Sequence, residues 1–518
     1  MTRATISLLL CSAACGHLGS KEVPPPQHVE PTAPAKAAPP AEKTVEKPTP
    51  PRAPPAAPTL AGEEVLAQQP ALGPIARFDA PVPRVEKLPN GMPLYIVERP
   101  NDGIEAVQLW IRGGASSDPA ARPGLASITA ALMESGAAGR SQTEIAAAAD
   151  AIGMSLSVNA TQEATVVSGS AMVSNLAAMA KLLGDVALRP NLDGGEFAKV
   201  RDQRVAGLIA QRAEPAVAAR RNFRLAVYEG TPMGRPVEGT VESVQALTVE
   251  EVKRAYAAFG PANAALVAVG GSKAGEVVAA LRNVFGGWKP PGAKPAQAIK
   301  VVPPAARPRL VFCEFPGKPQ SVIVAGQPIV PRKSPDYVPI EVLNSVLGGS
   351  FTSRLNQNLR EKNGYSYGVG SRVEWLSTSS PFTAAGSVKT EVTGPALKEI
   401  LLELGRSREP LEKEELEKGR ALLVYQLAET ISHATALAPA IAQIWLDGLP
   451  RDEYRTYAER LQAVTVEAVQ AAAKRTLDPD RMTISIAGDK EKVLPQLEPL
   501  SLGKPQLRDA SGKRLDAR

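Results

Sequence analysis

Side chains that can bind a metal or act as nucleophiles are scarce in this 518-residue sequence. Of its three histidines, His17 and His28 lie in the N-terminal leader and the proline-rich stretch that follows it, which leaves His433 alone in the rest of the chain. A catalytic zinc needs three protein ligands, usually including one or two imidazoles. Cys313 is the one cysteine beyond residue 15. No nucleophile elbow is predicted either, because the G-x-S-x-G spacing at 364–368 (GYSYG) stands between a helix and a strand and not between a strand and a helix. The inventory argues against zinc, cysteine or serine protease chemistry carried out by this chain alone.

Arg360 and Tyr367 are a second group of chemically useful side chains, seven residues apart. The helix that carries Arg360 is predicted to end at the turn 363–364, and a strand over 365–373 follows at once. Taken by themselves, the two residues are equally typical of a cation at a helix C-terminus and a half-buried strand aromatic. Their spacing alone leaves both interpretations open.

The elements that must position these side chains follow from the periodicity of the apolar residues. Strands are predicted at 85–88, 94–97, 106–112, 155–159 and 165–172, and helices at 123–137, 141–152, 174–188 and 193–213. A proline- and glycine-rich break over 286–304 ends this unit, and the same order of elements then begins again.

The restart is an internal duplication. The helix start at 248–252 (TVEEV) recurs 217 residues later at 465–469 (TVEAV), and Glu196 and Glu415 open equivalent helices 219 residues apart. We therefore predict an α+β fold with two duplicated domains, each an antiparallel-rich sheet covered by helices.

Two segments of the second copy, 343–355 (LNSVLGGSFTSRL) and 359–367 (LREKNGYSY), resemble the C-terminal domain signature of a known family. It is the insulinase-like family of zinc metallopeptidases, of the pitrilysin and mitochondrial processing peptidase type. The first copy carries similar landmarks in the family's order, at 88–91 (LPNG), 113–115 (GGA), 123–126 (PGLA) and 189–190 (RP). The resemblance covers roughly residues 77–500, and it implies two halves that face each other around a chamber.

The resemblance fails at the family's zinc motif. Active members carry H-x-x-E-H directly after the Gly-Leu-Ala element, with both histidines on one helix face and a glutamate that acts as the base. This sequence has Ser127, Ala130 and Ala131 at those three positions. The third ligand of the family, a glutamate, should fall near position 207 or 208, and no acidic residue occurs in 203–213. We therefore expect this chain to bind no metal or other cofactor.

The resemblance gives Arg360 and Tyr367 a role, because active members use an arginine and a tyrosine at this spacing to bind the scissile carbonyl and its developing oxyanion. It also places Asn159 and Ala160 on an edge strand that pairs with the backbone of a bound peptide. These four residues are the predicted catalytic and substrate-binding groups.

Some members of this family are two-chain enzymes, in which one chain keeps the zinc motif and the other keeps the arginine and the tyrosine. The sequence resembles the second kind, which predicts the non-catalytic subunit of a heterodimeric peptidase, with zinc held by a homologous partner and peptides as substrates. The alternative is a peptide- or protein-binding scaffold of the cell envelope with no role in proteolysis.

The N-terminus resembles a bacterial lipoprotein signal, with Arg3, an apolar run over 6–10, and Cys15 as the residue to be acylated. Thirteen prolines among residues 22–58 indicate an extended tether. We expect a cell-envelope protein, in the periplasm or anchored to the outer membrane through Cys15, with secretion as the alternative.

The formal charge of +6 does not indicate a nucleic-acid partner, because residues 501–518 alone contain five basic and two acidic side chains. The predicted boundaries are a signal peptide at 1–15, a tether at 16–75, an N-terminal domain at 76–290, a linker at 291–305, a C-terminal domain at 306–502 and a basic tail at 503–518.

Overall fold

The computed structural model describes residues 79–289, 303 and 309–515. The predicted signal peptide with Cys15 and the tether over 16–75 lie outside the described residues. The predicted linker over 291–305 also lies outside them, except for residue 303.

The first half builds a six-stranded mixed sheet in the order β1-β2-β8-β3-β7-β6. Its strands are β1 (Arg84–Lys87), β2 (Pro93–Glu98), β3 (Ile104–Arg112), β6 (Ser155–Ala160), β7 (Ala164–Met172) and β8 (Ala264–Gly270), and a separate short hairpin consists of β4 (Gly136–Ala137) and β5 (Arg140–Ser141). Its helices are α1 (Leu125–Glu134), α2 (Gln142–Asp150), α3 (Leu176–Leu188), α4 (Gly194–Gln211), α5 (Pro215–Val227), α6 (Val241–Gln245), α7 (Val249–Ala257) and α8 (Ala274–Phe285).

The second half builds another six-stranded sheet, in the order β11-β12-β10-β13-β9-β14. Its strands are β9 (Arg309–Glu314), β10 (Gln320–Ile329), β11 (Ser366–Val373), β12 (Ser380–Lys389), β13 (Thr483–Gly488) and β14 (Gln506–Leu507). Its helices are α9 (Tyr337–Leu347), the short α10 (Arg354–Asn356) that continues as a π-helix (Gln357–Lys362), α11 (Thr393–Arg406), α12 (Lys413–Ser432), α13 (Ala434–Asp447), α14 (Glu453–Ala463), α15 (Val466–Thr476) and α16 (Lys490–Leu497).

The two sheets share the order of five strands. The run β2-β8-β3-β7-β6 of the first sheet matches β9-β13-β10-β12-β11 of the second in the order of the duplication. The sixth strand differs, because β1 precedes β2 and pairs with it antiparallel, whereas β14 follows β13 in the chain and pairs with β9 in parallel. In both sheets the strand of the last βα unit, β8 or β13, runs in the interior, and every one of its residues is buried. The predicted α+β fold with two duplicated, helix-covered sheets is confirmed.

Each half lends one helix to the sheet of the other half. Helix α5 packs on β9, β10 and β13 of the second sheet, and α13 packs on β3 and β8 of the first. The two helices begin 219 residues apart, so they are equivalent members of the duplication. Apolar side chains such as Phe223 on α5 and Ile441 on α13 are buried at these contacts. Each sheet is therefore covered on both faces, and one face depends on the other half.

The C-terminal segment also joins the fold. Strand β14 pairs in parallel with β9, and the carbonyl oxygens of Asp509 and Ala510 accept hydrogen bonds from Asn222 and Arg221 of α5, at 3.1 and 3.0 Å. The sheet thus extends into the predicted basic tail. Within the described part of the chain, no helix has the length and apolar character needed to cross a membrane.

Candidate functional site

The helix α1 carries the three positions at which the sequence analysis expects the family's zinc motif. The Asp118 carboxylate accepts the N–H groups of Gly124 and Ala126 at 2.8 and 2.9 Å, which satisfies donors left open at the helix start. Ser127 and Ala130 are buried, and Ala131 is half-buried. The motif segment is therefore a regular helix with no imidazole or carboxylate at these positions.

Ala131 faces the segment in which the third ligand was expected. Together with Gly207 and Leu208 of α4 it lines a cavity of about 500 Å³. The charged side chains of this cavity include Glu134 and Lys199. The second motif position and the segment expected to hold the third ligand thus line one cavity, but their side chains are two aliphatic groups and a glycine. Among the described residues, no group of three or more His, Cys, Asp or Glu side chains is placed to hold a metal ion. The residues at this site do not fit zinc.

The strand β6 lies at the edge of the first sheet, as predicted for Asn159 and Ala160. Asn159 is exposed and Ala160 is half-buried. The Val158 N–H points away from β7 and donates to the Glu134 carboxylate at 3.0 Å. A flexible side chain, not another strand, therefore occupies this donor on the edge.

Arg360 lies on the π-helix that follows α10. The amide N–H of Asn363 donates to the carbonyl of Asn358, five residues earlier, at 3.1 Å. Leu359 is fully buried, and the Asn358 side chain donates to Glu403 at 2.7 Å, so the widened turn is fixed from the core side. π-Helical turns occur frequently at functional sites.

The Arg360 side chain lies over the exposed face of this turn. Its guanidinium carbon stacks 4.3 Å from the centre of the Phe351 ring, and the nearest carboxylate oxygen, that of Glu361, is 3.5 Å away. About a third of the Arg360 side chain and two thirds of Phe351 are exposed. The guanidinium is held in place by an aromatic face and still presents donors to solvent.

Tyr367 is turned outward by a β-bulge. Two residues further along β11, Val369 is buried in the core, so regular alternation would place Tyr367 on the same buried side. The pairing with β12 shifts between Ser366 and Val369, and Tyr367 is 88% exposed. The Ser366 hydroxyl fixes the bulge, because it donates to the Ser387 carbonyl at 2.6 Å and accepts the Gly368 N–H at 3.0 Å. Bulges at sheet edges re-aim side chains in this way.

The π-helix packs directly against β11, so the fold brings the elements of Arg360 and Tyr367 together at one edge of the second sheet. The surface is open, since Tyr367 stands in solvent and not inside a walled cavity. Sequence reasoning missed Phe351 and Glu134. The signal for Phe351 was an aromatic residue two positions after the glycines of the family signature.

Two other candidate residues, Cys313 and His433, are not placed for catalysis. Cys313 is buried in β9, and burial raises the pKa of its thiol to about 12, which disfavours a thiolate. His433 is exposed at the break between α12 and α13.

A duplicated α+β fold whose motif helix lacks zinc ligands defines a degenerate two-domain metallopeptidase. Comparison with family models agrees: the insulinase peptidase family M16 matches residues 95–241, and the peptidase M16 inactive domain matches residues 246–423. The chain belongs to the insulinase-like peptidase family M16. Within that family it is a non-catalytic relative.

The names of related proteins include both a zinc protease and a non-peptidase homolog. An uncharacterized zinc protease of Streptomyces coelicolor is 24% identical over 412 residues, which span 77% of this chain and 88% of that protein. The non-peptidase homolog YmxG of Helicobacter pylori is 22% identical over 395 residues, spanning 74% and 89%.

Solved structures show the same fold. The peptidase M16 inactive domain from Pseudomonas fluorescens has a TM-score of 0.74 at 23% identity and covers 79% of this chain and 98% of its own. A protease from Helicobacter pylori has a TM-score of 0.75 at 18% identity and covers 79% and 100%.

Proposed function

We propose that this chain is the non-catalytic subunit of a two-chain insulinase-like peptidase, and that it supplies Arg360 and Tyr367 to a homologous partner that carries the zinc. The observation that carries the proposal is the presentation of these two side chains by a π-helix and an adjacent β-bulge. Both are departures from regular backbone that a sheet and its helices do not need for packing.

The chemistry of the pair suits the stabilisation of an oxyanion. Hydrolysis of a peptide bond develops negative charge on the carbonyl oxygen, and donors held in place before the reaction stabilise that charge most in the transition state. Arg360 offers a charged donor, oriented by Phe351 at 4.3 Å, and Tyr367 offers a hydroxyl. Because both face outward, they are available to a substrate held by a second chain.

The test requires a homologue with an intact H-x-x-E-H motif from the same organism. Peptide cleavage by that homologue should rise strongly when this chain is added, and this chain alone should cleave nothing. An added chain that binds the homologue without changing its rate would contradict the catalytic part of the proposal and favour the envelope scaffold. One tightly bound zinc per molecule of this chain, with cleavage that a chelator stops, would contradict it entirely.

We further propose that the mature protein is anchored in the bacterial envelope through acylated Cys15. Cys15→Ser should move the protein from the membrane to the soluble envelope fraction. The same fractionation for both proteins, with a mature N-terminus away from Cys15, would support secretion without an anchor.

A further inference from the structure

A cavity of about 650 Å³ lies between helix α5 of the first half and strands β10, β11 and β12 of the second. Its charged side chains are Arg220, Arg221 and Arg224 on α5, Arg372 on β11, and the carboxylates of Glu238 and Glu374. Four cations and two anions leave a net charge of +2 on its wall.

Both carboxylates already have partners. Arg224 donates to the two oxygens of Glu374 at 2.8 and 3.3 Å, which neutralises one arginine. Glu238 accepts from the Gln211 side chain at 2.9 Å and lies 3.9 Å from Arg204 on α4. Its charge also acts on Arg221 at longer range, without a direct ion pair between the two.

Three arginines of the cavity lack an ionic partner among the described residues. The donors of Arg221 reach two neutral oxygens, those of the Gln211 side chain and the Ala510 carbonyl, each at 3.0 Å. Arg220 and Arg372 have exposed side chains with neither a hydrogen bond nor an ion pair in the described part of the chain. An anion that enters this cavity therefore meets the guanidinium donors of Arg220 and Arg372, which are not bound to a carboxylate among the described residues.

The rest of the wall is apolar and includes Phe223, Val324 and Ala385. A cavity that combines fixed cations with apolar surface suits an extended chain that has both kinds of side chain. Tyr367 and Arg372 lie on the same strand, five residues apart, a distance of about 17 Å along an extended strand. A peptide of moderate length can span both places.

We propose that this cavity binds acidic side chains of peptides, so that the chain selects substrates with Asp or Glu several residues from the bond that is cleaved. The selection of substrates rests on the proposed function, whereas the binding of acidic peptides does not.

Binding is measured on the full chain alone, without a zinc-bearing partner, by the fluorescence anisotropy of two labelled peptides. One peptide alternates Glu with apolar residues, and the other has Gln in place of every Glu. We expect the acidic peptide to bind at least about tenfold more tightly, with an affinity that falls as salt is raised. Equal affinities for the two peptides would overturn the proposal.

The variant R220Q/R372Q should reduce the affinity for the acidic peptide by about tenfold and leave binding of the Gln peptide unchanged. Its thermal unfolding should match that of the wild type, because neither arginine has a structural partner. Arg282→Gln, an exposed position on α8 outside the cavity, is the matched control and should change nothing. Full affinity in the double variant would overturn the proposal. Since no partner is present, a failure to bind is distinct from a failure to activate one.

Discussion

The two halves share the order of five strands but differ in the segment that leads to the edge strand. In the first half, α2 is a regular helix that begins with a capping box between Ser141 and Glu144. In the second half, the equivalent α10 widens into a π-helix, and a bulge follows in β11. The first half has Ser127, Ala130 and Ala131 at the motif positions on regular backbone. The second half has irregular backbone, which the hydrogen bonds of Asn358 and Ser366 hold in place.

The sheet edges differ as well. On β11 the outward N–H groups of Val369 and Ser371 are bound by the Asn356 side chain at 2.9 Å and the Gly348 carbonyl at 3.0 Å. On β6 the outward Val158 N–H is bound by the Glu134 side chain. A peptide strand can displace a single carboxylate more easily than a backbone segment. The first half therefore keeps the edge better suited to a peptide, and the second half keeps the polar pair.

The exchange of α5 and α13 predicts that neither half folds alone, which is the largest effect we expect. Fragments 76–290 and 306–515 would each expose a sheet face that the other half covers, including Trp110 and Val267 in the first and Val322 and Val324 in the second. Separately expressed fragments should aggregate or bind a hydrophobic dye, and co-expression should restore a soluble complex.

Within the intact chain, Phe223→Ala on α5 and Ile441→Ala on α13 should each lower the free energy of unfolding by about 2–5 kcal/mol. Both should shift one shared transition in a denaturant titration. Two separate transitions, with each variant moving only one of them, would mean that the halves are independent domains.

The C-terminal ends of the two exchanged helices predict different pH dependence. Asp447, at the end of α13, is buried; one carboxylate oxygen accepts from Gln443 at 2.7 Å, and the other has no hydrogen-bond partner among the described residues. Burial raises the pKa of Asp447 from 3.8 to about 6, and the nearby charge of Glu163 adds to this effect against Gln443 and two arginines. At the equivalent end of α5, the Tyr228 hydroxyl donates to the Ser379 carbonyl at 3.0 Å.

Between about pH 3.8 and about pH 6, Asp447 keeps a proton in the folded state that it has released in the unfolded state. The stabilisation is fully present below about pH 3.8 and is lost as pH rises through about 6, by up to about 3 kcal/mol. Asp447→Asn should remove this part of the pH dependence in urea titrations over that range. Tyr228→Phe should lower the free energy of unfolding by about 1 kcal/mol at every pH at which the Tyr228 hydroxyl keeps its proton. An unchanged pH profile in Asp447→Asn would mean that this carboxyl titrates normally.

Arg360→Ala should slow cleavage by the two-chain enzyme by roughly ten- to a hundredfold, because a hydrogen bond from a charged donor contributes about 1.5–3 kcal/mol. Tyr367→Phe should slow cleavage less than Arg360→Ala does. Lys362→Ala, on the same π-helix, is the matched control and should leave kcat unchanged. All three variants should bind the partner with wild-type affinity. Full activation by the double variant of Arg360 and Tyr367 would show that the chain acts as a scaffold.

Much of this arrangement was readable from sequence, for identifiable reasons. The duplication, the succession of strands and helices along the chain, and the residues Ser127, Ala130 and Ala131 at the motif positions are local patterns or direct residue identities. The exposure of Tyr367 was not readable, since alternation along β11 predicts a half-buried ring and only the bulge reverses it. The arginine-lined cavity forms because α5 packs on the sheet of the other half. Local sequence patterns do not predict where a helix packs in the fold. The three arginines at 220, 221 and 224 were visible, but their meeting with Arg372 was not.

A matched pair of glycines gives the smallest and most selective test. Gly153 and Gly364 occupy equivalent places, 211 residues apart, between the helical segment and the edge strand of each half. Both have left-handed backbone, with φ of 59° and 61°, and a Cβ added at either would meet nothing within 4 Å. Alanine at either position should therefore cost only the strain of that conformation, about 1–2 kcal/mol of folding stability. The costs should be equal within error in denaturant titrations.

The two alanine variants should differ in function. Gly364 joins the π-helix of Arg360 to the strand of Tyr367, so relaxation of its backbone changes the position of one side chain relative to the other. We expect Gly364→Ala to lower kcat of the two-chain enzyme several-fold, and Gly153→Ala to leave it unchanged. Both are measured at a temperature where each variant is fully folded. If both variants lowered kcat equally, the loss would follow stability and not geometry, and the turn would have no part in aligning the pair. If neither did, Arg360 and Tyr367 would be aligned by Phe351 and the bulge alone.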